Sequence, residues 1–163
     1  MNDLKDLYLD QLDDLHSACR QSRDVTIELE EAAGDGALRD ALHKGHKGIS
    51  AGMDVMAGIL RRHGKEPGGE HCLGMEGLAK EARKHALEGE IADGDVRDAM
   101  IIAQYQRMAH YAIAGYGTAK AFAKRLGLSE DVELLDRHLG NTYDGDEKMT
   151  ELAEGGINKA ATA

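Results

Sequence analysis

Apolar and small residues recur at alternating steps of three and four along four long stretches of this chain, the spacing of amphipathic helices. The first, segment A (about residues 3–33), puts Leu4, Tyr8, Leu15, Ala18, Val25 and Leu29 on one seam. Charged positions such as Asp3, Asp10, Asp13, Asp14, Glu28 and Glu30 fall on the face left to solvent. Segment B (about 37–63) continues the pattern with Leu38, Leu42, Gly45, Ile49, Gly52, Met56 and Ile59. Segment C (about 96–126) has the seam Ile102, Tyr105, Ala109, Ala112, Tyr116, Ala119, Ala123 and Leu126, which holds no carboxylate. Segment D (about 130–154) repeats it with Val132, Leu135, Leu139, Thr142, Asp146 and Met149.

The breaks are as informative as the helices. Gly34-Asp35-Gly36 supplies a short A–B turn in which the glycines can take positive φ. Gly64 to Gly69, with Pro67 inside it, ends segment B. A short apolar segment, about Leu73 to Leu87, reads as a connecting helix across the bundle. Asp95 is placed to cap segment C, Gly127 to end it, and Ser129 to cap segment D. Two short turns and one long connection predict an all-α four-helix bundle with a single crossover, the connectivity of the ferritin-like folds. The expected domain is 1–154, and residues 155–163 are expected to form a flexible tail.

Composition narrows the function classes. A net charge of −10 opposes nucleic-acid binding, which needs a clustered basic face. No apolar run approaches the roughly 20 residues of a membrane span. The acidic start of the chain lacks the features of a secretion signal, and the lone Cys19 and Cys72 suggest neither disulfides nor a zinc knuckle, so the cytoplasm is the expected location. No nucleophile elbow, phosphate loop or dinucleotide fingerprint is present, so no catalytic residue is assigned.

Ordered motifs carry a resemblance. Leu12-Asp13-Asp14-Leu15-His16-Ser17-Ala18, His63-Gly64-Lys65-Glu66-Pro67, Cys72-Leu73-Gly74-Met75-Glu76-Gly77-Leu78, the run Gln104 to Tyr111, and Asp146 to Glu154 resemble the bacterial YciE/YciF family of ferritin-like proteins. That resemblance implies a stress-associated, dimeric protein with a dinuclear metal centre built from carboxylates and His on the long helices. Carried over position by position, its expected ligands fall on Cys19, Gly48, Gly52, Ala109, Ala112 and Thr142, with Asp146 as the one surviving acid. The expectation is therefore a non-enzymatic bundle without metal or cofactor, its dinuclear centre largely lost.

Two alternatives remain open at this point. His16 and Cys19, three residues apart, could join Asp146 as an unconventional metal or redox site, although His16 at the seam edge and Cys19 as a small buried hydrophobe is the plainer reading. A Gly/Ala-lined interior could admit a small molecule, against close packing of the facing small residues, which is favoured. The candidate interior residues are His16, Cys19, Ala109, Ala112, Thr142 and Asp146. His43 and His46 share the i, i+3 spacing but, flanked by Lys44 and Lys47, read as a polar face.

Overall fold

A computed structural model describes residues 1–162; Ala163, the last residue of the expected tail, lies outside the described residues. The long helices are α1 (Leu4–Ala32), α2 (Gly36–Arg62), α4 (Gly94–Arg125) and α5 (Ser129–Leu152). Between α2 and α4 runs the crossover helix α3 (Leu73–Ala82), extended by a π-helical turn at Arg83–Leu87. α1 packs on α2 and α4, and α5 packs on the same two, so the bundle closes in the order α1–α2–α5–α4. α3 lies against α1 and α4. Among the described residues, no helix is long and apolar enough to cross a membrane.

The core divides into two clusters. One gathers Leu29, Leu38, Leu42, Met75 and Ile101 near the α1–α2 turn and under α3. The other gathers Tyr8, Leu12, Met56, Leu60 and Leu135 toward the opposite end. Each fully buried Leu or Met contributes about 1.5–3 kcal/mol through water exclusion. Small residues let helices approach closely: a Cβ on Gly115 of α4 would stand 2.6 Å from Leu15 Cδ1 of α1.

Several turns differ from their sequence reading, each for a local reason. The α1–α2 turn uses no left-handed glycine. Ala33 and Asp35 are extended instead, and buried Asp98 of α4 accepts from the Gly34 and Asp35 amides at 2.8 and 2.7 Å. Asp93, and not Asp95, caps α4, accepting from the amides of Asp95 and Val96. Gly127 does end α4, at φ 73°. The Leu128 amide donates to the Ala123 carbonyl and the Gly127 amide to the Lys124 carbonyl, which is the Schellman pattern. Because Leu128 closes that motif and also enters α5, Ser129 is already helical and does not cap.

Asp13, expected on the solvated face, is fully buried. It accepts from the Gly68 and Gly69 amides at 2.7 and 3.1 Å, and Lys65 Nζ lies 3.4 Å away. It thereby ties down the loop after α2. The chain past Leu152 continues in a π-helical turn, Ala153–Ile157, and a short α6 (Asn158–Ala160), where fraying was expected. Ile157 packs into the first core cluster, which gives this segment a reason to stay helical.

At the far end of the bundle sits a buried polar knot on Asp131, in the first turn of α5. Its carboxylate accepts from the Tyr8 hydroxyl at 3.0 Å, Arg62 Nη2 at 2.6 Å and His63 Nε2 at 2.8 Å. Burial alone would raise its pKa, but the bonds from His63, Arg62 and Tyr8 outweigh that and hold the carboxyl below its usual range.

Candidate functional site

Where the two core clusters meet, the bundle does not close. A cavity of about 410 Å³ opens between α2 and α5 and reaches in to α1 and α4, a volume within the roughly 300–1,000 Å³ typical of ligand pockets. α2 contributes Gly45, Gly48 and Ile49; α4 contributes Tyr105, Met108, Ala109, Ala112 and Tyr116. α1 supplies Cys19, Ser22 and Thr26, and α5 supplies His138 and Thr142, with Lys44, Asn141, Asp144 and Lys148 at the mouth.

The glycines of α2 play two roles along one face. A Cβ at Gly45 would come within 2.7 Å of the Tyr105 hydroxyl, and one at Gly52 within 2.4 Å of the Tyr116 hydroxyl, so there the small residues admit tyrosines. Gly48, between them, has nothing within 4 Å of such a Cβ. The close packing favoured from sequence therefore holds at Gly45 and Gly52, while Gly48 with Ala109 and Ala112 leaves a void.

The walls are chemically quiet. The hydroxyls of Ser22, Thr26 and Thr142 donate to the carbonyls of Cys19, Ser22 and His138 on their own helices, which uses up their donors. Cys19 Sγ lies 3.9 Å from the Tyr116 hydroxyl, and burial pushes its thiol up to about 12 despite that contact. Burial also holds Tyr116 well above its ordinary value, with Cys19 adding to the effect. Tyr105 is pushed up to about 12 by burial and then by the charge of Asp146. His138 stacks on Tyr116 with ring centroids 6.2 Å apart, and burial, followed by the charge of Arg137, lowers its pKa. A neutral imidazole and the Tyr105 hydroxyl, lying between Gly45 and Gly145, are the polar handles in an otherwise apolar cavity.

A direct consequence concerns the thiols. At pH 8 a thiol at about 12 holds roughly a thousandfold less thiolate than one near 8.5, and access adds a further barrier. Cys72 is also buried and its pKa raised, by burial first. Native protein is expected to release almost no colour with a disulfide reagent, with both thiols per chain titrating after denaturation. Fast labelling of Cys19 in the folded state would contradict the described burial.

Of the six sequence candidates, the structure brings Cys19, Ala109, Ala112 and Thr142 together around the cavity and leaves His16 and Asp146 outside it. His16 has a buried Nδ1 without a partner, and burial, only partly opposed by Asp13, lowers its pKa. Asp146 lies at the α4–α5 boundary, accepting from His110 Nε2 at 2.9 Å and Gln106 Nε2 at 3.1 Å. Its donors are thus a Gln and a His one turn apart on α4. His16, Cys19 and Asp146 form no ligand set among the described residues. Ser22 lies on the inward seam that the spacing of segment A predicts, whereas Thr26 and His138, the latter signalled only by its i, i+4 spacing from Thr142, were not expected at the cavity.

The donors around the cavity do not fit a carboxylate-bridged pair of metal ions. Such a centre takes a carboxylate from each of several helices, and the one carboxylate among the lining residues is Asp144, exposed at the mouth.

Comparison with known proteins agrees with this architecture. A family model described as "Domain of unknown function (DUF892)" matches residues 3–162. Protein YciF of Escherichia coli (strain K12) is 31% identical over 169 residues, covering 99% of this chain and 96% of YciF. The crystal structure of that E. coli stress protein matches with a TM-score of 0.90 at 29% identity, covering 98% and 99% of the two chains. YcfI, a putative structural protein from Rhodopseudomonas palustris, matches with a TM-score of 0.86 at 31% identity, over 92% and 94%.

Proposed function

The chain belongs to the YciE/YciF family of ferritin-like proteins, the DUF892 family, and from that premise we propose a non-enzymatic, stress-associated bundle whose interior takes a small, mainly apolar ligand where a dinuclear metal centre would sit. The observation that carries this reading is the 410 Å³ cavity at the positions the family resemblance assigns to metal ligands, lined by Cys19, Gly48, Ala109, Ala112 and Thr142. The stress association comes from the name of the E. coli relative. Lys44 and Lys148 at the mouth, against Asp144 alone, favour a ligand whose polar end is neutral or carries one negative charge.

The test uses an anilinonaphthalene sulfonate, which has an apolar body and one anionic group. The folded protein is expected to bind it saturably, with one site per chain. Absence of saturable binding overturns the ligand reading. Retention of two equivalents of iron or manganese per chain, lost on mutating Cys19 or Asp146, would instead restore a dinuclear centre. Homodimerisation and a cytoplasmic location belong to the same proposal. Two free, buried thiols suit a reducing compartment, and sedimentation equilibrium reads the dimer directly.

A further inference from the structure

Outside the cavity, α1 and α2 carry a second constellation. His43 and His46 are one turn apart on α2, and Glu30, near the end of α1, reaches across to both. Glu30 Oε1 lies 3.0 Å from His43 Nδ1, and Oε2 lies 2.8 Å from His46 Nε2. The two ring nitrogens face each other at 3.3 Å, with the rings edge to face. Among the described residues, this is the one group of three His, Cys, Asp or Glu side chains whose donor atoms converge, all within 4.8 Å. None of the three lines the interior cavity.

We propose that Glu30, His43 and His46 form an open mononuclear site for a borderline divalent cation of the zinc class. Two features of the geometry support it. Donors about 2.0–2.1 Å from a tetrahedral zinc ion stand roughly 3.3 Å apart, which is the spacing of the two imidazole nitrogens. The carboxylate converges on the same point: one donor atom from each of the three residues lies within 4.8 Å of the others, so a single cation can meet both imidazole lone pairs and Glu30 together.

Two imidazoles and a carboxylate are a donor set suited to zinc and its neighbours, with remaining positions open to water. Exposure is graded to match: the His46 side chain is 13% exposed, Glu30 21% and His43 55%, so two ligands are held by packing and the third faces the solvent from which an ion enters.

Calorimetric titration of the chelator-stripped full-length protein with zinc chloride tests the site. One zinc per chain is expected, with a micromolar dissociation constant. His43→Ala/His46→Ala and Glu30→Gln should each weaken it at least tenfold. His110→Ala, which removes a surface His bonded to Asp146, should leave it unchanged. Cobalt(II) at the site should give the visible bands of a low-symmetry, nitrogen-ligated ion. The changes lie at the helix surface, and circular dichroism checks that each variant folds. Absence of saturable zinc binding overturns the proposal, as does binding that survives loss of both His residues or falls equally in His110→Ala.

Discussion

Asp131→Ala is expected to lower the melting temperature by roughly 6–12 °C. Tyr8 is fully buried, and its hydroxyl donates to Asp131. Without its acceptor that group is stranded at about 1–3 kcal/mol. The Asp131 carboxylate itself is only 5% exposed, and its removal also frees the His63 side chain, 14% exposed. Arg62 is 40% exposed and can fall back on Glu130 at 3.3 Å, so its share stays within the range of about 0–1 kcal/mol of a surface pair. A total near 3 kcal/mol converts at about 2–4 °C per kcal/mol for a chain of this size. Tyr8→Phe should cost less, about 1 kcal/mol, because it removes a donor without stranding one.

The same knot sets an acid limit. The folded pKa of Asp131 is depressed, so its contribution is fully present above the unfolded value of about 3.9 and is lost as pH falls through the lower folded value. Wild-type stability should fall below about pH 4 more steeply than that of Asp131→Ala, by differential scanning calorimetry. Parallel profiles would show that the knot does not control acid unfolding.

Gly48→Leu is expected to abolish probe binding in the interior while leaving the fold intact or slightly more stable. Gly48 lies within α2 with nothing near its Cβ position and lines the cavity. The added side chain meets open space, and the helix gains up to about 1 kcal/mol by losing a glycine. Its four carbons take the place of about four ligand carbons. At about 0.8 kcal/mol per buried methylene, that is roughly 3 kcal/mol, or about a hundredfold in affinity. Gly58→Leu is the matched control, on the same helix, also with an open Cβ position, and not among the cavity residues. Equal probe affinity in the two variants would place the binding elsewhere.

The helices were legible because each is a local pattern. A period of three and four and a terminal Gly both lie within one or two turns of the residues they control, and Gly127 behaves as its position implies. The candidate site was legible in part. Cys19, Ala109, Ala112 and Thr142 were found by their register on separate helices, and the seam of α4 correctly announced an interior without acids from that helix. His16 and Asp146 share that register loosely, but a rotation of a fraction of a turn carries them to the boundary, where Gln106 and His110 take Asp146.

What the sequence determined by itself is the set of helices, their order and the small residues facing inward, since these follow from periodicity and backbone preference along one stretch of chain. Tertiary structure alone decided where the polar groups went. Asp13, Asp98 and Asp131 all look like surface acids in the sequence, yet each is buried, held by backbone amides or side chains more than 50 positions away. Glu30 likewise becomes a partner of His43 and His46 only once α1 lies against α2. A carboxylate's burial is fixed by the donors that reach it, and a cavity by how far rigid side chains on four different helices can reach, and neither quantity is written in any local stretch of the chain.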